Sequence, residues 1–285
     1  LNVFSKKIEN MIVSSADLSN SDKTDGFLKG TKSITKGDFS GAFLQAGVSE
    51  LTMGAIMNGI ALHGGIIPVC ATFFVFSDYM KPAIRLSALM ELPVKFVFSH
   101  DAFRVGEDGP THQPIEQEAQ IRLLEQIKNH SGINSTLVLR PADVDETTVA
   151  WKLAVENTKT PTVLILSRQN IKSISSENRY KDALQSEKGA YIIKKTKNAD
   201  IVLVANGSEV STLVETATLL EEKGLKVQIV SAPSEGLFFE QAVSYQQEVF
   251  PVGVPVFGLT AGIPSGMQRL VGSNGKTFGL DHFGY

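Results

Sequence analysis

The strongest constraint on this chain is an alternation of short apolar runs with amphipathic stretches. Four of the runs are rich in β-branched and aromatic residues and have the length of strands, and the stretches between them have helical spacing. The predicted strands are 68–75, 94–99, 136–139 and 162–167, and the predicted helices are 78–90, 115–129 and 146–157. Strand–helix alternation is typical of a parallel sheet with helices on both faces. We therefore expect a doubly wound α/β domain.

Two local signals refine this prediction. Ser49 is a residue type that caps helices, and Gly64 with Gly65 can end one, so a further helix is expected between them. Pro82 lies inside the predicted helix 78–90, where its ring either distorts the helix or delays its start.

A polar stretch at 173–188 interrupts the pattern and has the composition of a linker. After it, the alternation resumes with a strand at 200–205, a helix at 209–223 that Gly224 ends, and a strand at 227–231. One face of that helix carries the apolar residues Val210, Leu213, Val214, Ala217 and Leu220. The sequence therefore predicts a doubly wound domain at 1–175, a linker at 176–188 and a smaller α/β domain at 189–285.

Composition excludes several classes of protein. The 285 residues carry a formal net charge of −3 with mixed signs, so no nucleic-acid partner is expected. The longest apolar stretch, 66–76, is too short to span a membrane, so no membrane partner is expected either. Cys70 is the single cysteine, which rules out an intrachain disulfide and favours a reducing, cytoplasmic location. Because the chain begins at Leu1 and stops at Tyr285, directly after a glycine- and aromatic-rich run, we expect a fragment of a longer polypeptide.

The segment 100–114 stands apart from the rest of the chain. It follows a predicted strand and precedes a predicted helix, which places it at the carboxyl edge of the sheet, where open parallel sheets bind ligands. Its charged and titratable residues are His100, Asp101, Arg104, Glu107, Asp108 and His112, and its turn-forming residues are Gly106, Gly109, Pro110 and Pro114. These residues alone leave a solvated polar turn open as an interpretation. They do not favour a metal site, because their spacing matches no familiar set of ligands.

This segment resembles a pattern of the transketolase family, H-D-S-I-G-x-G-E-D-G-P-T-H-Q-P, and matches it without exception from Gly106 to Pro114. Four further stretches resemble family patterns. They are 15–21 (S-A-D-L-x-x-S), 47–59 (G-I-R-E followed by M-G-A-I-M-N-G), 72–79 (T-F-x-x-F-x-x-Y) and 167–170 (S-R-Q-N). The resemblance covers most of the chain. It implies the family's doubly wound pyrimidine-binding domain followed by its smaller carboxy-terminal α/β domain.

The resemblance implies a cofactor-binding role for four residues. Glu50 would hydrogen-bond the aminopyrimidine ring of thiamine diphosphate and act as a catalytic residue, because the shared proton favours the ring form that can remove the thiazolium proton. Phe73, Phe76 and Tyr79 would form an apolar wall around that ring, with Phe76 stacked on it. The residues alone allow other interpretations: a carboxylate at a helix start interacts well with the dipole, and aromatic residues at this spacing suit a core.

Substrate-binding residues are implied in the same way. Asp108 and His112 would meet hydroxyl groups of a ketose donor, and His100 would lie near the phosphate of the sugar. An aspartate that recognises a hydroxyl discriminates strongly, because an analogue without the hydroxyl leaves a buried acceptor unpaired. His100 and His112 are also candidates for catalytic proton transfer, since histidine titrates near neutral pH.

The phosphate end of the substrate would involve three further residues. Arg168 follows a predicted strand, and its forked donors suit a phosphate, although an arginine on the surface after a strand is commonplace. By the resemblance, Ser21 would add a hydroxyl to that phosphate, and Asp17 would support the same end of the site. His63, His130 and His282 carry no comparable support and are interpreted as structural or surface residues.

The sequence departs from the family pattern at three places. Ser49 replaces an arginine, Val13-Ser14 replaces a glycine pair, and Ala102-Phe103-Arg104 replaces Ser-Ile-Gly. Arg104 adds a positive charge near the predicted sugar channel. It either contacts a phosphate or points away and pairs with Glu107.

One element of the family is absent from the sequence, namely a G-D-G motif followed by asparagine. In the family this element holds the diphosphate through Mg²⁺ or Ca²⁺ and lies in a separate amino-terminal domain. We therefore expect no metal ligand on this chain, weak cofactor binding and no activity by the chain alone. The missing domain would come from the same polypeptide or from a partner chain, and the family's site forms across a homodimer interface.

The resemblance implies transfer of a two-carbon ketol unit from a ketose phosphate to an aldose phosphate, in the pentose phosphate pathway. Two alternatives remain. One is another thiamine-dependent enzyme: a deoxyxylulose-phosphate synthase, a dihydroxyacetone synthase or the beta chain of a 2-oxo acid dehydrogenase. The segments 107–114 and 167–170 favour a transketolase over these. The other is a non-catalytic scaffold subunit, which would not need Glu50, Asp108, His112 and Arg168 together.

Overall fold

The computed structural model describes residues 1–284 and contains two sheets. The strands are β1 Met11–Ser15, β2 Phe43–Gln45, β3 Ile67–Phe73, β4 Lys95–Ser99, β5 Leu137–Leu139, β6 Thr162–Ile165, β7 Tyr191–Lys194, β8 Ile201–Ala205, β9 Val227–Ser231, β10 Val256–Leu259 and β11 Lys276–Phe278. The helices are α1 Asp25–Leu28, α2 Glu50–His63, α3 Ser77–Leu89, α4 Gln117–Glu125, α5 Val144–Glu156, α6 Arg179–Ala183, α7 Glu209–Glu222, α8 Glu235–Phe239, α9 Val243–Val249 and α10 Gln268–Val271. Short 3₁₀ turns occupy Phe4–Lys6, Phe74–Phe76, Gly106–Asp108, Pro110–His112, Leu184–Lys188 and Pro264–Met267.

The first sheet is parallel throughout, with the order β2-β1-β3-β4-β6-β5. Successive residues of its central strands enter different cores. Phe96 and Phe98 pack on the face covered by α2, α3 and α4, whereas Val97 packs on the face covered by α1 and α5. Both faces are buried, as parallel sheets require. The predicted doubly wound α/β fold is confirmed.

The second sheet has the order β11-β10-β8-β9-β7, and only β7 runs antiparallel to its neighbour. One of its faces is covered by α7, whose apolar residues pack there as the helical spacing predicts. The other face is covered by α8, α9 and α10. This confirms a smaller α/β unit after the first sheet. The domain boundaries at 175 and 189 remain predictions.

The predicted helix 115–129 is shorter in the structure, where α4 spans only Gln117–Glu125. Ile115 lies in a bend before the helix, and its carbonyl accepts a hydrogen bond of 2.8 Å from the N–H of Ile263, a residue that follows the second sheet's β10. Its own N–H donates to Oε1 of Gln117. A tertiary contact that helical spacing cannot reveal therefore delays the start of the helix.

Two local predictions also need correction. Ser49 does precede α2, but its hydroxyl donates to the carbonyl of Ala46 and makes no capping bond to the helix. Pro82 does not delay α3, which begins at Ser77 and continues through the proline. The end of α2 is as predicted, because Gly64 follows it with a φ of 85°, a conformation that glycine adopts without strain.

The segment 176–188, for which composition predicts a linker, contains α6 and a 3₁₀ turn. It is anchored by Arg179, whose guanidinium donates to Asp143 and Glu146 at the start of α5. The hydroxyl of Tyr191, in the second sheet, joins the same cluster through a 2.7 Å bond to Glu146. The linker prediction itself stays untested, but the segment holds the two sheets together through buried charges.

Two further findings concern the whole described chain. Within residues 1–284, no helix combines the length and the apolar character needed to cross a membrane. Cys70 is a free thiol that is fully buried in the first sheet, and burial raises its pKa.

The close approach of α2 to α3 gives a test of the packing. A Cβ atom at Gly54 would lie 2.8 Å from the Cβ of Ala83, whereas a Cβ at Gly59, on the same helix, would meet nothing within 4 Å. We expect Gly54→Ala to lower the free energy of unfolding by about 1–3 kcal/mol through overpacking. The control Gly59→Ala should raise it by up to about 1 kcal/mol through helix propensity. Urea unfolding measures both, and equal effects would contradict the packing.

Candidate active site

The predicted site residues lie at one edge of the first sheet. The loop after β1 carries Asp17 and Ser21, β3 ends at Phe73, His100 follows β4 and Arg168 follows β6. Glu50 begins the helix that follows β2. Since parallel strands present their carboxyl ends at the same edge, residues from five separate connections converge there.

Glu50 is buried, with 7% of its surface exposed. Its Oε1 lies 3.3 Å from the hydroxyl of Thr72, which donates to it from the end of β3. The carboxylate is therefore held between the start of α2 and the strand that carries Phe73. A carboxylate at this helix position is also favoured by the helix dipole.

Four aromatic side chains form a stacked row, which we name the aromatic row: His100, Phe73, Phe76 and Tyr79. The ring centroids of His100 and Phe73 are 3.7 Å apart, those of Phe73 and Phe76 are 6.1 Å apart, and those of Phe76 and Tyr79 are 5.9 Å apart. The row runs from the buried His100 to Tyr79, which is 62% exposed. It offers an apolar surface with one solvent-facing end.

His112 lies edge-on to the aromatic row, with its ring centroid 5.2 Å from that of Phe76. Its Nδ1 is 2.9 Å from the hydroxyl of Thr111, and Asp108 lies one 3₁₀ turn earlier on the exposed surface of the same loop. The predicted substrate loop therefore brings an imidazole and a carboxylate to the side of the aromatic row.

Arg168 packs against the same loop from the end of β6. A Cβ atom at Gly106 would lie 3.2 Å from the guanidinium carbon of Arg168, and Gly106 has a φ of +80°. Glycine at this position therefore serves two needs, a left-handed backbone and room for the arginine. Arg168 as a whole is exposed, so an anionic ligand can reach it from the solvent.

His100 has an unusual backbone and a perturbed ring. Its φ is +60°, and its Nδ1 lies 3.0 Å from the hydroxyl of Ser99. Burial is the main cause that lowers the pKa of His100 to about 4, and the positive charges of Arg168, His112 and Lys23 lower it further. Asp108 acts in the opposite direction. The ring is therefore neutral at physiological pH.

Lys23 is a residue that the sequence interpretation missed. It lies two positions after Ser21 in the same loop and is close enough to His100 to affect its pKa. Its signal was available, since a cation in a loop predicted to meet a phosphate is informative. Within residues 1–284, the side chains of Asp17 and Ser21 form no hydrogen bond or ion pair with the other predicted site residues.

A buried carboxylate shapes this loop. Asp22 accepts hydrogen bonds from the hydroxyls of Ser15 and Thr24, at 2.6 and 2.7 Å, and from the N–H of Thr24 at 2.9 Å. Burial raises the pKa of Asp22, against the effect of these hydrogen bonds. Asp22 thereby closes the turn that presents Asp17 and Lys23, which both have a φ of +66°.

Arg104 lies on the side of its loop that faces the second sheet. Its guanidinium is 5.8 Å from the ring centroid of Phe103, and among residues 1–284 it forms no ion pair with Glu107. With Ser208 and Thr260, Arg104 lines a cavity of about 260 Å³ between the loop and the second sheet. Of the two alternatives for Arg104, the ion pair with Glu107 is thus not formed in the described part of the chain.

The remaining histidines lie away from this edge: His63, His130 and His282 are exposed. In the described part of the chain, no group of three or more histidine, cysteine, aspartate or glutamate residues is arranged to hold a metal ion.

Family models match almost the whole chain. Residues 1–173 match the pyrimidine-binding domain of transketolase, and residues 189–285 match the transketolase-like C-terminal domain. The chain belongs to the transketolase family. The family model covers the edge at which Glu50, the aromatic row and the 100–114 loop converge.

Individual transketolases are similar over the full chain. The transketolase of Halalkalibacterium halodurans is 44% identical over 287 residues, which cover 100% of this chain and 41% of that protein. The structure of transketolase from Leishmania mexicana matches 99% of this chain and 40% of its own, with a TM-score of 0.89 and 36% identity. The structure of Pichia stipitis transketolase in complex with sedoheptulose 7-phosphate matches with a TM-score of 0.85, 38% identity and the same coverage, 99% and 40%. This chain therefore spans about two fifths of the length of the transketolases it resembles.

The environment of His100 predicts its titration. The usual pKa of 6.5 is lowered to about 4, so the unfolded chain binds a proton over a range in which the folded protein does not. The contribution of His100 to the free energy of unfolding should therefore be complete above about pH 6.5. It should be lost as the pH falls towards about 4, because the unfolded chain then takes up the proton that the folded protein does not. Heteronuclear NMR of the ring, assigned with His100→Gln, measures the midpoint. A value near 6.5 would contradict the burial of the ring.

Proposed function

We propose that this chain forms the pyrimidine and sugar-phosphate side of a transketolase site. The complete enzyme transfers a two-carbon ketol unit from a ketose phosphate to an aldose phosphate, as in the pentose phosphate pathway. The observation that carries this proposal is the convergence of Glu50, the aromatic row and the Asp108–His112–Arg168 group at one sheet edge.

The residues at this edge fit the pyrimidine part of thiamine diphosphate. Glu50 offers a buried carboxylate, and Phe73, Phe76 and Tyr79 offer flat apolar surface beside it. When bound, the cofactor supplies the carbon nucleophile that accepts the two-carbon unit. Glu50 would hold a proton on the pyrimidine ring, and the aromatic row would exclude water and so strengthen that hydrogen bond.

The other end of the edge suits a sugar phosphate. Arg168 and Lys23 supply positive charge, and the neutral His100 can share a hydrogen bond without adding charge. His112 lies beside the aromatic row, and Asp108 is close enough to His100 to affect its pKa, so an imidazole and a carboxylate are available to bind hydroxyl groups. Together these groups suit a molecule with a ketol group at one end and a phosphate at the other.

This chain would supply only part of the site. The relatives are about two and a half times as long, since it covers 41% of the Halalkalibacterium protein. We propose that a diphosphate-binding domain, from the same polypeptide or from a partner chain, holds the diphosphate through Mg²⁺ or Ca²⁺ and completes the site in a homodimer. The chain alone would then be inactive. A cytoplasmic location also stays a prediction.

An assay separates this function from its alternatives. The chain combined with a diphosphate-binding domain, thiamine diphosphate and Mg²⁺ should convert xylulose 5-phosphate and ribose 5-phosphate into products two carbons shorter and longer. Conversion of pyruvate or formaldehyde instead would favour a deoxyxylulose-phosphate synthase or a dihydroxyacetone synthase. No turnover of any of them, with intact folding, would favour a non-catalytic subunit.

The role of Glu50 gives the first functional prediction. Glu50→Gln keeps the shape of the side chain but cannot hold the proton, so we expect kcat to fall by about 10²–10⁴-fold at saturating cofactor. The fold should persist, as circular dichroism would verify. Near-normal turnover would reject the assignment of Glu50.

The role of Arg168 gives the second functional prediction. Arg168→Ala should raise KM for phosphorylated ketoses by about 10- to 100-fold, the range expected for charge-assisted hydrogen bonds, and change KM for unphosphorylated ketoses much less. Arg104→Ala is a matched control, because that arginine lies in a neighbouring loop but faces the second sheet. An equal rise in KM for phosphorylated and unphosphorylated ketoses would reject the assignment of Arg168 to the phosphate.

A further inference from the structure

Arg140, directly after β5, joins the first sheet to the second. Its N–H donates to the carbonyl of Pro233 at 2.9 Å, and its own carbonyl accepts from the N–H of Gly207 at 3.1 Å. Its side chain is buried, with 1% of the residue exposed. The backbone of this arginine is thus hydrogen-bonded to residues on the second-sheet side, while its side chain is buried between the two sheets.

The guanidinium of Arg140 links two loops that come from different sheets. Nε and Nη2 donate to Oδ2 of Asp101, at 3.1 and 2.7 Å. Nη1 donates to Oδ1 of Asn206 at 2.6 Å and to Oε2 of Glu209 at 2.5 Å, and Glu118 adds a further contact at 3.4 Å. One buried cation therefore holds a carboxylate of the β4 loop and a carboxylate at the start of α7.

Asp101 directly follows His100 in the chain. The ion pair between Arg140 and Asp101 therefore acts on the backbone next to a candidate site residue. His100 has a φ of +60°, a conformation that residues other than glycine rarely adopt unless their surroundings enforce it. Two contacts enforce this backbone conformation at His100. The ring of His100 stacks on Phe73, and the next side chain along the chain is held by Arg140.

We propose that Arg140 is a positioning residue that holds the His100–Asp101 backbone in place and so couples the second sheet to the sugar-phosphate end of the site. The inference rests on the proposed function, and it gives the second sheet a role although that sheet supplies none of the candidate site residues. Glu209 and Asn206, from the β8–α7 connection, form the second-sheet side of the coupling.

A glycine offers a way to move Arg140 without changing any charge. Gly207 has a φ of +56°, and a Cβ there would lie 2.7 Å from Nε of Arg140. Gly224, after the other end of α7, has a φ of +86° and nothing within 4 Å of its would-be Cβ. Gly207→Ala and Gly224→Ala therefore share the backbone cost of alanine at positive φ, but only the first displaces the guanidinium.

The two variants are compared in the chain combined with its diphosphate-binding domain. Gly207→Ala should raise KM for xylulose 5-phosphate about tenfold, because a small misplacement of a positioning group has large effects, and should leave the affinity for thiamine diphosphate unchanged. Gly224→Ala should leave both within about twofold of the original values. Equal KM values in the two folded variants would overturn the proposal.

A second pair of variants covers the case in which Gly207→Ala does not fold. Glu209→Gln weakens the second-sheet side of the Arg140 link, whereas Glu235→Gln changes a buried carboxylate that faces Arg122 instead, at 3.9 Å. Only the first should raise KM for the phosphorylated donor, by about three- to tenfold. An equal response to both substitutions would show that the cluster acts on stability alone.

NMR titration of His100 separates this inference from the proposed function. Displacement of Arg140 releases Asp101 and loosens the backbone that keeps the His100 ring buried, so the midpoint of His100 should move from about 4 towards its ordinary value of 6.5 in Gly207→Ala and stay unchanged in Gly224→Ala. If the assembled protein transfers no two-carbon unit, the proposed function fails, and this comparison still decides the role of Arg140. The same midpoint in both variants would overturn that role.

Discussion

The parallel register of the first sheet is the constraint on which the candidate site depends. Neighbouring strands lie about 4.8 Å apart, so the connections that leave β1, β2, β3, β4 and β6 at one edge bring their side chains within reach of a single small molecule. Each connection supplies only one to three of the residues concerned. The buried core on both faces holds the strands in that register. The spacing of the strands therefore sets the distances between the candidate site residues.

Charge is divided along this edge in a way that suits a polar donor with an anionic end. The aromatic row is apolar and ends at Tyr79, while Arg168 and Lys23 stand at the opposite end around the neutral His100. A neutral imidazole among cations is stabilised by burial, which disfavours its protonated form. The end proposed to bind the phosphate therefore carries positive charge, while the imidazole ring beside it stays unprotonated.

The regular elements were predictable from local patterns, whereas the site was not. Periodicity located β3, β4, β5, β6, β8 and β9, because their residues are apolar on both sheet faces. It missed β1, which contains Ser14 and Ser15, and β2, which is three residues long, and it also missed β7, β10 and β11 of the second sheet. Glu50 and the aromatic residues were assigned through family resemblance, because a carboxylate at a helix start has several possible explanations.

Two features that local patterns could not reveal share one cause, which is dependence on a partner distant in sequence. The start of α4 is set by Ile263, and the segment 176–188 is held by Asp143 and Glu146. Arg140 gave no signal at all, because it followed a predicted strand as an ordinary polar residue. Its importance emerges only when Asp101 and Glu209 are seen on either side of it.

The cavity beside Arg104 has a consequence for how such a protein can diverge. Three residues that depart from the family pattern, Ala102, Phe103 and Arg104, all line this space of about 260 Å³. A cavity of that size leaves room for side chains of different shape at these positions. Substitutions there would therefore disturb the edge of the first sheet less than substitutions at His100 or Asp108.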